Sequence, residues 1–321
     1  MNRLPFPTVI DSTMRATFFE CPQKFYWSFI RKLGPKEPSA DLMAGGTFAH
    51  ALETIRRLYY VERQPADLAI QQGLAAAIVY WGDFEVPEHK QQKSLERVLL
   101  AIGHYFSVWP LGEDKLIPVM WDGGDGIEFR FSLPMEIHHP ETGEPIVYAG
   151  RSDMIANYLN QLWVVDEKTT SQLGASWSNK WNLRSQFTGY CHAARSFGLP
   201  VAGTIVRGIS FLKNSFGDAE VITTRPEWMI DRWWEQLHYD VERMIHSWQS
   251  GRWDYALDEA CNAYGGCAFT RLCMTNTPEE WVDTHYAPRH WNPLDKVPSG
   301  KPEATSVVEM QEVMLPPGVF R

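Results

Sequence analysis

No run in this 321-residue chain approaches the roughly eighteen consecutive apolar residues of a membrane-spanning helix, so no membrane partner is expected. The N-terminal stretch MNRLPFPTVID lacks the apolar centre of a secretory signal. A cytoplasmic protein is therefore expected, bacterial or phage-encoded in the host cytoplasm. There is no internal repeat, no phosphate-binding GxxxxGK[ST] and no helicase motif. Any ATP-driven helicase or recombination partner must then be a separate chain. Positive charge is also in short supply. Lys and Arg number 30 against 39 Asp and Glu, for a net charge of −9. Such a balance argues against a protein that coats nucleic acid. It leaves room for an enzyme with one local basic groove, drawn from Lys24, Arg31, Lys32, Arg56, Arg57, Lys180 and Arg184.

What the chain does have is a globular composition, 44% hydrophobic and 21% charged. Fourteen tryptophans are many; Trp228, Trp233 and Trp234 fall on one expected helix, where packing is their ordinary use. Of five cysteines, Cys261, Cys267 and Cys273 follow a C-x5-C-x5-C spacing, and Cys21 stands far upstream. Clustered cysteines in a reducing compartment point to metal rather than disulfides. Four thiolates suit tetrahedral zinc or an iron–sulfur cluster, and spacing alone does not decide between them. Cys191 reads as a small buried hydrophobe.

Hydrophobic periodicity predicts a helix over 12–32, capped by Ser12 and interrupted at Pro22. Further helices are predicted over 46–62, 66–81 and 89–108, the first preceded by a loop ending at Gly45 and Gly46. This helical insert would serve as a lid or a substrate-guiding subdomain. The turn signal DGGDG, residues 122–126, joins strands near 115–121 and 127–137. A helical stretch over 177–197, a strand over 203–212, a partner near 219–224 and a helix over 226–248 follow, the last begun by Pro226. Beyond residue 284, frequent prolines predict an extended strap, a partly mobile tail or a partner-docking segment.

The chemistry concentrates in residues 150–170, GRSDMIANYLNQLWVVDEKTT. This reads as a β-hairpin turning at Tyr158–Gln161. It would hold Asp153 and Asp166 at one end, with Lys168 two residues further on the same strand face. Two carboxylates so placed suit a hard, oxygen-preferring divalent cation, and the ammonium can stabilise charge developing on a phosphate. Gln186 and Tyr190 share one helical face at i and i+4. His50 lies on a helix with Phe48, Leu52, Ile55 and Leu58 as its apolar side.

The D-x(12)-(D/E)-x-K hairpin resembles the PD-(D/E)xK nuclease superfamily, with Asp153, Asp166 and Lys168 at its motif positions. Ser152 replaces the family proline. Q-x3-Y at Gln186 and Tyr190 resembles the RecB-like branch, where this helix faces DNA. The stretch GGTFAH resembles that branch's metal-binding histidine, here His50. One N-terminal and three C-terminal cysteines resemble the staple of AddB-type and CRISPR-associated RecB-like exonucleases. There a [4Fe–4S] cluster clamps the ends of the domain, although their usual spacing is C-x2-C-x5-C. The resemblance implies an α/β, restriction-endonuclease-like core, a mixed central sheet flanked by helices. It also implies a nuclease domain over 1–283 and a tail over 284–321. That domain would comprise a helical insert (about 41–110), a catalytic core (about 111–225) and a cysteine segment (about 250–275). It further implies a Mg²⁺- or Mn²⁺-dependent DNA exonuclease acting on ends or single strands. His50, Asp153, Asp166 and the Glu167 carbonyl would hold the metal, Asp153, Asp166 and Lys168 would act in catalysis, and Gln186 and Tyr190 would contact DNA. Cys21, Cys261, Cys267 and Cys273 would hold iron–sulfur, or zinc instead. The alternative is a catalytically silent DNA-binding or assembly subunit on the same fold.

Overall fold

The computed structural model describes residues 3–37, 39–121, 124–262 and 266–294. In chain order the elements are β1 (Val9–Ile10), α1 (Ser12–Glu20), α2 (Pro22–Phe25), β2 (Leu33–Pro35), α3 (Ala40–Arg56), α4 (Ala66–Trp81) and α5 (Leu95–Val108). Then come β3 (Ile117–Pro118), β4 (Met120–Trp121), β5 (Gly124–Asp125), β6 (Ile127–His138), β7 (Pro145–Tyr158) and β8 (Gln161–Thr170). After α6 (Ala175–Asn179) and α7 (Ser185–Ser196) come β9 (Val201–Phe211), β10 (Phe216–Thr224) and α8 (Glu227–Ser250). The chain closes with α9 (Glu259–Asn262), α10 (Thr270–Cys273), α11 (Glu279–His285) and β11 (Tyr286–Pro288). The architecture is mixed α/β, with a central mixed sheet flanked by helices. No described helix is long and apolar enough to cross a membrane. The tail expected beyond residue 284 lies outside the described residues from 295 onward.

The described residues form two compact units, one drawn from 3–37, 130–150 and 230–294, the other from 39–129 and 151–229. In the first, α1 is capped by Asp11, whose carboxylate accepts the Met14 N–H at 2.7 Å. The cap is one residue earlier than the expected Ser12. The helix breaks at Cys21, which is extended at φ −164° and ψ 114°, because the ring of Pro22 disfavours helical backbone in the residue before it. Helix α8 turns Leu237, Val241, Met244 and Trp248 inward and buries Asp240 against Arg15 (2.6 Å). A small cluster of Trp27, Leu33, Phe269, Leu272 and Tyr286 packs beside the antiparallel pair β2–β11.

In the second unit the strand order is β3-β7-β8-β9-β10. β8 pairs antiparallel with β7 and parallel with β9, and β10 closes antiparallel on β9. The β7–β8 hairpin turns through Leu159 and Asn160, both at positive φ (51° and 62°), as a two-residue turn matched to the strand twist requires. Helices α3, α4 and α5 share one core with Ile209 and Phe211 of β9. Helix α3 starts at Ala40, capped by Ser39, so Gly45 and Gly46 lie inside it rather than in a loop. A Cβ on Gly45 would stand 3.4 Å from Thr169 of β8, and one on Gly46 would stand 2.9 Å from the Tyr80 hydroxyl. The two glycines let α3 approach closely. The single helix expected over 177–197 is two, α6 and α7, joined by a turn over 180–184.

Candidate active site

Pairing of β7 with β8 runs from Tyr158–Gln161 to Met154–Val165. One step further lie Asp153 and Asp166. There the ladder gives way to a side chain: the Glu167 N–H donates to Asp153 Oδ2 at 2.7 Å. A carboxylate thus occupies the place of a backbone acceptor, which fixes Asp153 at the end of the hairpin.

Side chains alternate along β8, and each face serves a different purpose. Asp166, 2% exposed, and Lys168, 31% exposed, form an ion pair on one face. The Lys168 ammonium stands 6.0 Å from the Phe187 ring of α7. On the same helix the Gln186 amide donates to the Tyr190 hydroxyl at 2.8 Å, so the expected i, i+4 pair does share a face. Arg184 and Lys180 in the α6–α7 turn add their positive fields to that of Lys168.

The other face carries Glu167. Its buried carboxylate takes a bidentate hold from Arg56 of α3 and accepts the Tyr105 hydroxyl of α5 at 3.1 Å. Tyr105 in turn accepts from Arg56 (2.9 Å) and from Arg207 of β9 (3.2 Å). Arg207 grips Asp114 through both terminal nitrogens (2.5 and 2.7 Å) and reaches Glu220 at 2.9 Å. Every charge in this buried chain has a partner, as burial demands. Glu128, its side chain 4% exposed, pairs with Arg151 at 2.6 Å and adds its negative field to Asp153.

Electrostatics separate the three carboxylates. Burial, then the charges of Asp166 and Glu167, push Asp153 well above the usual range. Burial also raises Asp166, despite the opposing ammonium of Lys168. Burial works to raise Glu167 as well, but Arg56 outweighs it and holds that group below the ordinary carboxylate range. Burial disfavours the charge on Lys168, yet Asp166 and Asp153 outweigh it and keep the amine protonated. Two crowded carboxylates, each driven towards protonation, form a donor set that a divalent cation would satisfy.

His50 lies on α3, its ring stacked on Tyr80 with centroids 4.9 Å apart. Helix α3 covers the face of β8 that bears Glu167 and Thr169. Asp153, Asp166, Glu167 and Lys168 are brought together. Among the described residues, however, no three His, Cys, Asp or Glu side chains already converge as a metal cage. The other unit holds Cys21, Cys261, Cys267 and Cys273. Burial pushes the Cys273 thiol up to about 11, and the charges of Cys267, Cys21 and Cys261 act in the same direction. The Cys267 N–H donates to the Cys261 carbonyl at 2.8 Å. Among the described residues the four cysteines do not form a closed ligand set. Cys191, buried against Thr204 at 3.6 Å, stands in the unit that holds the carboxylates and is raised to about 11 by burial.

Arg56, Tyr105, Arg207 and the paired Glu128 and Arg151 form no sequence motif. The one available signal was strand alternation, which sends Glu167 to the face opposite Asp166 and Lys168.

The family model described as the PD-(D/E)XK nuclease superfamily matches residues 13–274. No curated protein sequence matches the chain. A crystal structure from Eubacterium rectale, described as a candidate exonuclease, aligns with a TM-score of 0.43 at 10% identity, covering 80% of this chain and 88% of that one. The crystal structure of SSO0001 aligns with a TM-score of 0.33 at 14% identity, covering 84% and 87%.

Proposed function

The chain belongs to the PD-(D/E)XK nuclease superfamily, and from that premise we propose a metal-dependent nuclease that hydrolyses DNA phosphodiesters at ends or in single strands. The observation that carries this reading is the end of the β7–β8 hairpin. Asp153 and Asp166 meet there, with Lys168 paired to the second acid and Glu167 held from behind by Arg56.

Asp153, Asp166 and the Glu167 backbone carbonyl would hold Mg²⁺ or Mn²⁺, with His50 proposed as a further, nitrogen ligand. When bound, the ion supplies charge neutralisation on the phosphate and a water of lowered pKa. The chain's own residues do the rest. Lys168 remains protonated and places positive charge where the phosphorane oxygens gain negative charge. The Gln186 amide and Tyr190 hydroxyl, already hydrogen-bonded to each other, orient the strand beside Lys168. Arg56 fixes Glu167, and with it the backbone N–H that holds Asp153. We further propose that Cys21, Cys261, Cys267 and Cys273 bind an iron–sulfur cluster, with zinc the other soft-sulfur choice. The C-x5-C-x5-C spacing with a fourth cysteine far upstream supports that reading.

The test uses anaerobically purified protein, Mn²⁺, and end-labelled linear single- and double-stranded DNA beside closed circles. Loss of linear DNA alone, absent in Asp166→Ala, is expected and identifies an exonuclease. Nicked circles identify an endonuclease. No cleavage of any substrate by folded, metal-loaded protein overturns the enzymatic reading in favour of a silent DNA-binding subunit.

A further inference from the structure

Leu183 is 80% exposed and stands in the α6–α7 turn between Lys180 and Arg184. Isolated exposed leucines are common and need no account. This one differs in its base, its flanks and its position. Its base is fixed. Trp177 and Trp181, each 4% exposed, pack edge to face at 5.3 Å beneath the turn. Arg225, 1% exposed, donates to the Trp181 carbonyl at 2.7 Å and to the Thr188 hydroxyl of α7 at 3.1 Å. The turn itself is closed by Asn182 N–H to the Asn179 carbonyl and Arg184 N–H to the Trp181 carbonyl, both 3.3 Å. An apolar tip on a rigid mount keeps its position when pushed.

Its flanks are cationic. The Lys180 ammonium rests 4.3 Å above the Trp181 ring, and neither Lys180 nor Arg184 makes an ion pair among the described residues. In a chain of net charge −9, two exposed cations bracketing an exposed leucine make a local basic patch that suits a polyanion. The turn also enters α7, the helix that carries Gln186, Phe187 and Tyr190 beside Lys168. Whatever meets Leu183 therefore lies next to the proposed cleavage site.

We propose that Leu183 is a wedge that inserts at the terminal base step of duplex DNA, while Lys180 and Arg184 hold the flanking phosphates. Apolar side chains inserted between base steps unstack them, and phosphate contacts from Lys and Arg supply the salt-sensitive part of the affinity. The wedge delivers an unpaired strand to the active site and selects duplex ends as substrate. It rests on the nuclease reading above.

The experiment places 2-aminopurine at the terminal step of a blunt duplex and uses Ca²⁺ in place of Mg²⁺, so that fluorescence reports unstacking and not cleavage. Wild-type protein at saturation is expected to raise the fluorescence severalfold, and Leu183→Ala by less than a fifth of that rise. Leu42→Ala removes a leucine that is 74% exposed on α3 and retains the full rise. The double variant Lys180→Gln, Arg184→Gln lowers the log–log salt slope of binding by about 2, two phosphate contacts' worth. An unchanged signal on wild-type binding, an equal rise with Leu183→Ala, or no binding to the duplex end overturns the wedge. Single-strand cleavage with Mn²⁺, measured on the same wild-type preparation, judges the nuclease reading separately.

Discussion

At the scale of single residues, the candidate site divides into a legible half and a hidden half. Asp153, Asp166 and Lys168 could be read because a hairpin converts a short sequence interval into a spatial pair, and the period of two sets which side chains share a face. Arg56, Tyr105, Asp114 and Arg207 could not, because they come from separate elements and meet only when α3 and α5 pack on the sheet. The hidden half has measurable weight. Arg56 is 6% exposed and Glu167 3% in their side chains, so Arg56→Met leaves a buried carboxylate without its counter-ion. That costs about 3–5 kcal/mol, read as a lowered denaturation midpoint. Arg56→Met combined with Glu167→Met recovers most of the loss, because both charges leave together; failure to recover would show that the pair matters by shape alone. Lys168 is 31% exposed, and the Asp166 carboxyl it pairs with is already driven towards protonation by burial, so its removal leaves a group that can neutralise and is a smaller structural event. Lys168→Ala is expected to lower the cleavage rate about 10²- to 10³-fold and to shift the melting temperature little. An unchanged rate would remove Lys168 from the chemistry.

At the scale of elements, periodicity located most helices and strands, and local chemistry decided their ends. Asp11 and Ser12 are both good caps, but Asp11 has the extended backbone and reaches the Met14 N–H. That choice makes stability depend on pH. Burial raises the Asp11 carboxyl from 3.8 to about 6, against the opposing hydrogen bonds from Met14 and Trp291. The folded state therefore binds a proton that the unfolded state has released, and the Asp11 contribution falls as pH rises from about 4 to about 6. The full swing is about 3 kcal/mol, from a shift of about two units. Asp11→Asn keeps an acceptor for Met14 but cannot titrate, so its melting temperature relative to wild type should climb between pH 4 and pH 7. A constant difference across that range would contradict the buried charge. Gly45 and Gly46 read as a loop because glycine is a poor helix former, yet close packing is their use within α3. Gly73 of α4 makes the same point with a number. A Cβ there would lie 2.1 Å from Ile55 Cγ1, so Gly73→Ala pits about 1 kcal/mol of helix propensity against about 1–3 kcal/mol of overpacking. The packing term wins, and the melting temperature falls; a rise would mean that α3 and α4 part without cost.

At the scale of the whole molecule, the two candidate sets of metal ligands lie in separate units. The carboxylates and Lys168 lie in one, and Cys21, Cys261, Cys267 and Cys273 in the other. The unit that holds these cysteines is assembled from three distant stretches of chain, so the proposed bond through metal between Cys21 and the 261–273 segment would close a very long loop. Closing long loops removes much of the unfolded chain's freedom, and structural metal sites convert binding free energy into folding free energy. The thiols as they stand are unlike finished ligands. Burial raises Cys273 to about 11 and raises Cys267 as well, so each would have to lose a proton to bind, a step that metal drives. The expected outcome is a brown protein with absorbance near roughly 400 nm and matching iron and sulfide, or a colourless one carrying about one zinc. Cys21→Ser and Cys273→Ser should lose that metal and melt several degrees lower. Cys191→Ser, in the other unit and raised by burial alone, should keep it. Because the carboxylate unit folds around its own core of α3, α4, α5 and β9, metal loss should lower activity through stability, leaving the Mn²⁺ concentration for half-maximal cleavage unchanged at low temperature. Wild-type protein that carries no metal as purified under anaerobic conditions, and melts no higher than Cys21→Ser, would instead reduce the four cysteines to ordinary packing.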